Sequence, residues 1–585
     1  MAAGHTMSRN PNDFWVQNLQ EIEPAFASFP GKMYAGLLPV SIAGGHHDTN
    51  KNEAEFMFWL FVPNQQSVPD TMTIWLNGGP YCSSILGGVL LENSPVTLGA
   101  HAPGTCCIDP NDPFQANPNY AWTVATTMLY VEQPTGTGFS NAGQEPDNEH
   151  DVGRDFYGFL QNFYTVFEDL QAHRLSMFGE SYAGMFVPAI ARRIALENEK
   201  TKNKYINHNN DDDEQQERVV INLDGIALGN GWMDATVQGP SLVEYAFWHG
   251  MIDAYTRDAF LEEWDHCYSA VRASRKGGGS WKYSKEQKEP TPFHPFTTPD
   301  ECGIMEAVLA AAGAGVLPHG KSPNTYDVTT FDPYAVIGTK NSTFYRFMNN
   351  PKVKEALHAP QHIEWVGCRP GAGRRRRRRQ LQKQSKMLEH DEPISVVPYV
   401  AELLDRWGVR VLIYNGDLDM STNAGGSEML LNSMKWSGQK AWAVAGRGIW
   451  MMKSDETVAG YVKKYANLSF LVVKNSGHLV PYNKPMLALD LIERFLQDAP
   501  FLDIPLPSFL LSPPPKAART VEFKEQSIYD EEETVAPAFD ENHSGFYWLL
   551  WHCVGAMVCF LAGFLASNAW RRTGYELVID DYDAR

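Results

Sequence analysis

Between residues 71 and 478 the chain repeatedly sets a continuous apolar run just before a Gly, Asn or Asp: TMTIWLN (71–77), TVATTMLYVEQP (123–134), RLSMFGES (174–181), RVLIYNGD (410–417) and LSFLVVKNSGH (468–478). None of these runs alternates apolar and polar positions, as a strand with one wet face would. They predict strands buried on both faces of a mostly parallel sheet covered by helices, an α/β architecture. Helix-like patterns fall between them, among them YAGMFVPAIARRIALENE (182–199). In open sheets of this kind, functional groups gather beyond the carboxyl ends of the strands.

Three polar stretches interrupt the pattern. Residues 198–217 (NEKTKNKYINHNNDDDEQQE) are almost wholly polar, residues 371–386 hold six consecutive arginines, Arg374 to Arg379, and the region after Pro513 is acidic and proline-bearing. The first two are expected to be surface insertions, the arginine run offering either an anion-binding or protease-sensitive surface or a merely solvated one. The third is expected to be a flexible acidic stem, residues 511–545, following a globular domain over residues 1–510. Residues 546–567 (FYWLLWHCVGAMVCFLAGFLAS) carry no formally charged side chain and are long enough to cross a bilayer as a helix. Arg571 and Arg572 follow this run, which places the short tail, 568–585, in the cytosol and the domain in the lumen, a type I topology. Such a protein enters through an N-terminal signal, yet the first twenty residues lack an apolar segment of the required length. Either the start lies upstream or the late apolar segment serves for insertion.

Composition adds direction. A formal net charge of -20 repels phosphate backbones, which sets nucleic acid aside and turns attention to cationic partners. Of the eight cysteines, Cys82, Cys106, Cys107, Cys267, Cys302 and Cys368 lie in the globular region, a number compatible with three disulfides or with buried thiols. Sequons at Asn341, Asn467 and Asn542 are candidate glycosylation sites in a secretory protein. The cysteine and histidine spacings suggest no metal or cofactor site.

The candidate chemistry lies at the ends of the apolar runs. GESYAG (179–184) sets small residues on both sides of Ser181 between a strand and a helix. A turn this tight projects the serine hydroxyl from a strained backbone and aims the next helix's amides at it. A serine needs a base, and the base needs an orienting acid, in the chain order Ser, Asp, His. YNGDLDMSTN (414–423) offers Asp417 or Asp419 after one strand, and SGHLVPYNKP (476–485) offers His478 after another.

Taken together, WLNGGP-x-CSS (75–84), ENSP (92–95), VEQPTGTGFS (131–140), GESYAG, GIALGNGWMD (225–234), NGDLD and GHLVP resemble the serine carboxypeptidases over about residues 15 to 500. Within that family the acidic stem, single span and short tail are most similar to the pheromone-processing, Kex-type branch of the trans-Golgi membrane. The resemblance implies an α/β-hydrolase fold with a helical insertion at about 232–350 and a triad of Ser181, Asp419 and His478, Asp417 being structural. It implies an oxyanion hole from the amides of Gly79 and Tyr182. It also implies a cradle for a free α-carboxylate made by Trp75, Asn77, Gly78 and Glu180, with Glu92 beside Glu180. A glutamate facing a carboxylate has to carry a proton, so binding should favour mildly acidic pH. By the same analogy Cys82 pairs with Cys368, and Cys267 with Cys302 is a further candidate.

The function implied is removal of C-terminal residues, Lys and Arg in this branch, from peptides or propeptides with free C-termini. A carboxypeptidase of broader or hydrophobic specificity, a serine carboxypeptidase-like acyltransferase and an inactive luminal binding protein are the alternatives. One departure bears on the last of these: the family has Gly where this chain has Tyr81, beside the oxyanion loop, at a position that can demand a left-handed backbone.

Overall fold

The computed structural model describes residues 10–41, 54–98, 113–141, 146, 148–206, 218–276, 304–311, 313, 323–331, 342–369, 395–452 and 456–505. The chain divides into two compact units, Met1–Ser512 and Pro513–Arg585, and every described residue lies in the first. The expected stem, span and tail lie outside the described residues, as do the arginine insertion, Asn341, Asn542 and the side chains of Cys267 and Cys302. Among the described residues no helix is long and apolar enough to cross a membrane.

Among the described residues thirteen strands occur in chain order: β1 (Gly31–Pro39), β2 (Glu55–Pro63), β3 (Thr71–Leu76), β4 (Val96–Leu98), β5 (Phe114–Ala116), β6 (Thr127–Glu132), β7 (Arg174–Glu180), β8 (Leu223–Gly229), β9 (Arg410–Gly416), β10 (Arg447–Met451), β11 (Val458–Tyr465), β12 (Leu468–Val473) and β13 (Ile504–Pro505). Apart from the small β4–β5 ribbon they form one 11-stranded sheet in the order β1-β2-β6-β3-β7-β8-β9-β12-β11-β10-β13. Its centre, β6-β3-β7-β8-β9-β12, is parallel, and its margins are antiparallel. The five apolar runs read from the sequence are β3, β6, β7, β9 and β12, all in the parallel centre.

Helices cover both faces of the sheet. On one, α1 (Glu149–Val166) turns Phe156, Phe159 and Phe163 onto Phe56 and Phe58 of β2, with ring centroids 5.8–6.3 Å apart. Asn148 caps this helix by accepting from the Asp151 amide at 3.0 Å. On the other face, Trp122 meets Trp75 and Phe178 edge-on at 5.2 Å and 4.9 Å. Burial of so many aromatic rings on both faces fixes the sheet as the rigid base of the site.

The helix after β7, α2 (Ala183–Ile206), runs nine residues into the stretch expected to be a polar insertion. Glu and Lys are good helix formers, so the helix continues once begun. Asn198 anchors it, donating to the Ile221 carbonyl at 2.7 Å and accepting from the Ile221 amide at 3.0 Å. The helical insertion includes α3 (Pro240–Trp248) and α4 (Ala254–Lys276), which with Val308 and Met420 form a separate small core.

Candidate active site

The carboxyl ends of β7, β8, β9 and β12 lie side by side because these strands are parallel neighbours. At the end of β7, Ser181 stands at φ 61°, a left-handed backbone that a residue with a Cβ resists. The turn closes only because its neighbours are small. A Cβ on Gly179 would come within 2.6 Å of Val187 Cγ2, and one on Gly184 within 2.6 Å of the Trp232 carbonyl oxygen. The Ser181 amide donates to the Gly229 carbonyl at 3.1 Å, and the Trp232 amide donates to the Ser181 carbonyl at 2.9 Å, so the β8 turn braces the serine from both sides.

Gly78 lies directly on this turn, where a Cβ would stand 2.2 Å from the Tyr182 nitrogen. After it come Gly79 at φ 112°, a cis bond to Pro80, and Tyr81 at φ 65°. Tyr81 thus adopts the left-handed conformation that its sequence position foreshadows. Its ring lies under the Arg369 guanidinium at 5.4 Å, and its carbonyl accepts from the Arg369 amide at 3.2 Å. Cys82, bonded to Cys368 as the family resemblance implies, closes the loop by donating from its amide to the Gly78 carbonyl at 3.1 Å. Among the described residues the Gly79 amide has no acceptor, so a backbone donor is left at the loop's crest.

Past β9 and β12, Asp419 and His478 meet at 2.7 Å through Oδ2 and Nδ1. Asp419 has no exposed surface, and four donors surround its carboxylate. Oδ2 faces His478 Nδ1, Asn230 Nδ2 at 2.7 Å and Thr422 Oγ1 at 2.8 Å, while Oδ1 accepts from the Ser421 amide at 2.9 Å. Asp417 faces away, paired with Lys474 and accepting from the Ser476 amide at 3.3 Å. The imidazole is held further by Tyr326, whose carbonyl accepts from the His478 amide at 2.7 Å and whose ring lies 4.4 Å from the histidine ring. Ser181 and His478 share no hydrogen bond among the described residues; in unliganded sites such bonds are often long and tighten only when substrate binds.

Beside the serine is a buried carboxyl pair. Trp75 Nε1 donates to Asn77 Oδ1 at 2.6 Å, which orients the Asn77 amide so that Nδ2 reaches Glu180 at 3.0 Å and Glu92 at 3.3 Å. Glu92 comes from a π-helical turn, Ile85–Glu92, in which a Cβ on Gly87 would collide with the Asn77 amide at 2.2 Å. Burial pushes both carboxyls up, and Glu180 is raised further by the negative charges of Glu92 and Asp419. Both effects bias the pair toward holding a proton. Among the described residues one oxygen of each receives no donor.

Behind the oxyanion loop lies a second buried acid. Glu132 accepts from Ser83 Oγ at 2.5 Å, the Phe139 amide at 2.5 Å and Trp365 Nε1 at 2.9 Å. Burial pushes its carboxyl up to about 7 against the pull of those donors.

Asn230, Thr422, Tyr326 and Glu132 are site residues beyond the sequence expectation. Asn230, Glu132 and Thr422 stand inside quoted motifs, GIALGNGWMD, VEQPTGTGFS and YNGDLDMSTN, whereas Tyr326 carries no local signal. Asn467 is exposed on the β11–β12 turn, with Nδ2 donating to the Gly408 carbonyl at 2.6 Å.

A mostly parallel sheet with a strained serine turn and a buried Asp–His pair at adjoining strand ends defines a hydrolase of the α/β class. A profile of the serine carboxypeptidases matches residues 27–498, and the chain belongs to that family. It is 27% identical over 519 residues to the pheromone-processing carboxypeptidase KEX1 of Phytophthora infestans, covering 85% of this chain and 74% of that protein. To the probable serine carboxypeptidase CPVL of mouse it is 29% identical, over 80% of this chain and 84% of the relative. The crystal structure of the prohormone-processing carboxypeptidase Kex1(Δ)p from Saccharomyces cerevisiae shares the fold with a TM-score of 0.64 at 23% identity, covering 84% of this chain and 96% of that one.

Proposed function

We propose that Ser181 is the nucleophile, His478 the general base and Asp419 the acid that orients it, in a carboxypeptidase that removes single residues from free peptide C-termini. The observation that carries this reading is the buried Glu180–Glu92 pair under Asn77. It sets a protonated carboxyl one residue from the nucleophile, where a substrate's terminal carboxylate meets a hydrogen-bond donor instead of a like charge. Ser181 attacks the last peptide carbonyl, and His478, held through Nδ1, takes the hydroxyl proton on its other nitrogen and passes it to the departing amine. The amides of Gly79 and Tyr182 receive the negative charge of the tetrahedral intermediate. Water then cleaves the acyl-enzyme by the same base and frees the serine. Trp75 and Gly78 shape the cradle that Asn77 and Glu180 line.

The reading extends to C-terminal Lys and Arg, in propeptides of the secretory pathway. The net charge of -20 and the names of the pheromone-processing relatives support that extension. A luminal domain anchored in the Golgi membrane through residues 546–567 belongs to the same proposal and rests on the apolar run in the sequence. Hydrolysis of matched peptides ending in Lys, Arg or Leu, each with a free or an amidated C-terminus, tests both halves. Amidation should abolish cleavage, and Arg should exceed Leu in kcat/KM. Equal cleavage of amidated peptides would remove the exopeptidase reading, whereas preference for Leu would remove only the basic specificity. Labelling by a fluorophosphonate that is lost in Ser181→Ala separates an active hydrolase from a binding protein.

A further inference from the structure

We propose that Asn230 is a positioning residue that holds Asp419 aimed at His478, and that locks the nucleophile's turn to the acid's turn. The inference rests on the triad roles proposed above.

Asn230 follows β8, the strand between those bearing the nucleophile and the acid, and is fully buried. Its amide N–H donates to the Tyr414 carbonyl at 2.8 Å. Its Oδ1 accepts from the Gly416 amide at 3.0 Å, and its Nδ2 donates to Asp419 Oδ2 at 2.7 Å and more distantly, at 3.5 Å, to the Thr422 carbonyl. On its other side, Gly229 and Trp232 hold the Ser181 backbone. One side chain thus connects the two turns whose relative placement decides whether a proton can pass from serine to histidine.

Two requirements meet at this position. The backbone is left-handed, at φ 44°, a region that Gly, Asn and Asp tolerate best. The side chain also has to donate to one group and accept from another. Glycine satisfies the backbone and supplies neither bond. Aspartate satisfies the backbone and the Gly416 amide, but turns a like charge on Asp419 unless it is protonated. Asparagine alone among the three meets both demands. A carboxylate with no exposed surface is costly to bury without such donors, and the Asn230 bond fixes the Asp419 oxygen that faces the imidazole. Among the groups near Asp419, Glu180 and Tyr245 are both pushed up in part by its negative charge, and neither is cationic.

The test compares Asn230→Asp, Asn230→Gly and Asp419→Asn in the full chain, with kcat and KM measured from pH 5 to 8 and melting temperature recorded alongside. Asn230→Gly should lower kcat by about tenfold to a hundredfold at every pH, the loss of one bond to a charged group, with KM little changed. Asn230→Asp should show the same deficit at neutral pH and regain activity toward acidic pH, as the introduced carboxyl takes a proton and can donate again. A merely structural asparagine would lower the melting temperature without tilting the pH profile. A profile for Asn230→Asp parallel to wild type, beside an inactive Asp419→Asn, overturns this inference and spares the triad. An Asp419→Asn variant of near wild-type activity overturns the triad itself.

Discussion

Glu180 has two constraints on its proton: burial, and a second carboxyl, Glu92, with which it shares the Asn77 amide. Both raise its pKa, so the proton that serves a substrate carboxylate persists well above the ordinary carboxyl range and is lost as pH rises through the raised value. KM for free-carboxyl peptides should therefore climb on the alkaline side. Glu180→Gln, whose amide donates at every pH, should flatten that climb while leaving kcat within about tenfold; KM measured from pH 5 to 9 decides it, and a variant that climbs in parallel with wild type would place the titration elsewhere. The order Ser, Asp, His was legible in the sequence because each residue closes an apolar run. Choosing between Asp417 and Asp419 by residue pattern was not possible, since they lie two apart in one loop and only folding turns one toward His478 and the other toward Lys474. Asn230 was hidden for a similar reason, its partners being Gly416 at the end of β9 and Asp419 in the loop after it, far along the chain. Tyr81 was the opposite case: the Gly that the family carries at this position pointed to a left-handed backbone, and φ is 65°.

Among the elements, the parallel centre of the sheet announced itself because strands buried on both faces read as unbroken apolar runs. The margins β10 and β11 did not, because their exposed positions break the runs and Lys463 and Lys464 sit within them. The helical end of α2 was not legible because polar composition marks both a solvated helix face and a loop, and the tether from Asn198 to Ile221 is invisible locally. The contact between the oxyanion loop and the serine turn makes a sharp prediction. In Gly78→Ala the new Cβ would stand 2.2 Å from the Tyr182 nitrogen and 2.8 Å from that of Ala183. Both are backbone atoms, so the loop has to lift and carry the Gly79 amide out of line. The expected loss in kcat is on the order of a hundredfold, similar to deleting one oxyanion donor. Retention of wild-type kcat would mean that the two elements can part without consequence.

Across the whole molecule, Glu132 gathers three distant segments around one buried carboxyl: Ser83 after the oxyanion loop, Phe139 after β6, and Trp365 near the disulfide that joins Cys82 to Cys368. An unfolded chain releases this proton near 4.5, whereas the folded chain keeps it to about 7. The unfolded state therefore binds fewer protons in that window, and stability falls as pH rises through it, by up to ~3 kcal/mol. Glu132→Gln, neutral throughout, should lose this share of the decline in melting temperature between about pH 5 and pH 7. A slope identical to wild type would assign the decline to other groups. The order of strands has a consequence for the protein during its own synthesis. Ser181, Glu92 and Glu180 leave the ribosome early, whereas His478 lies beyond β12, the last parallel strand to be made. Until that strand emerges, the nascent chain carries the proposed nucleophile and carboxyl cradle without the proposed base, so on that reading elongation itself keeps the serine silent.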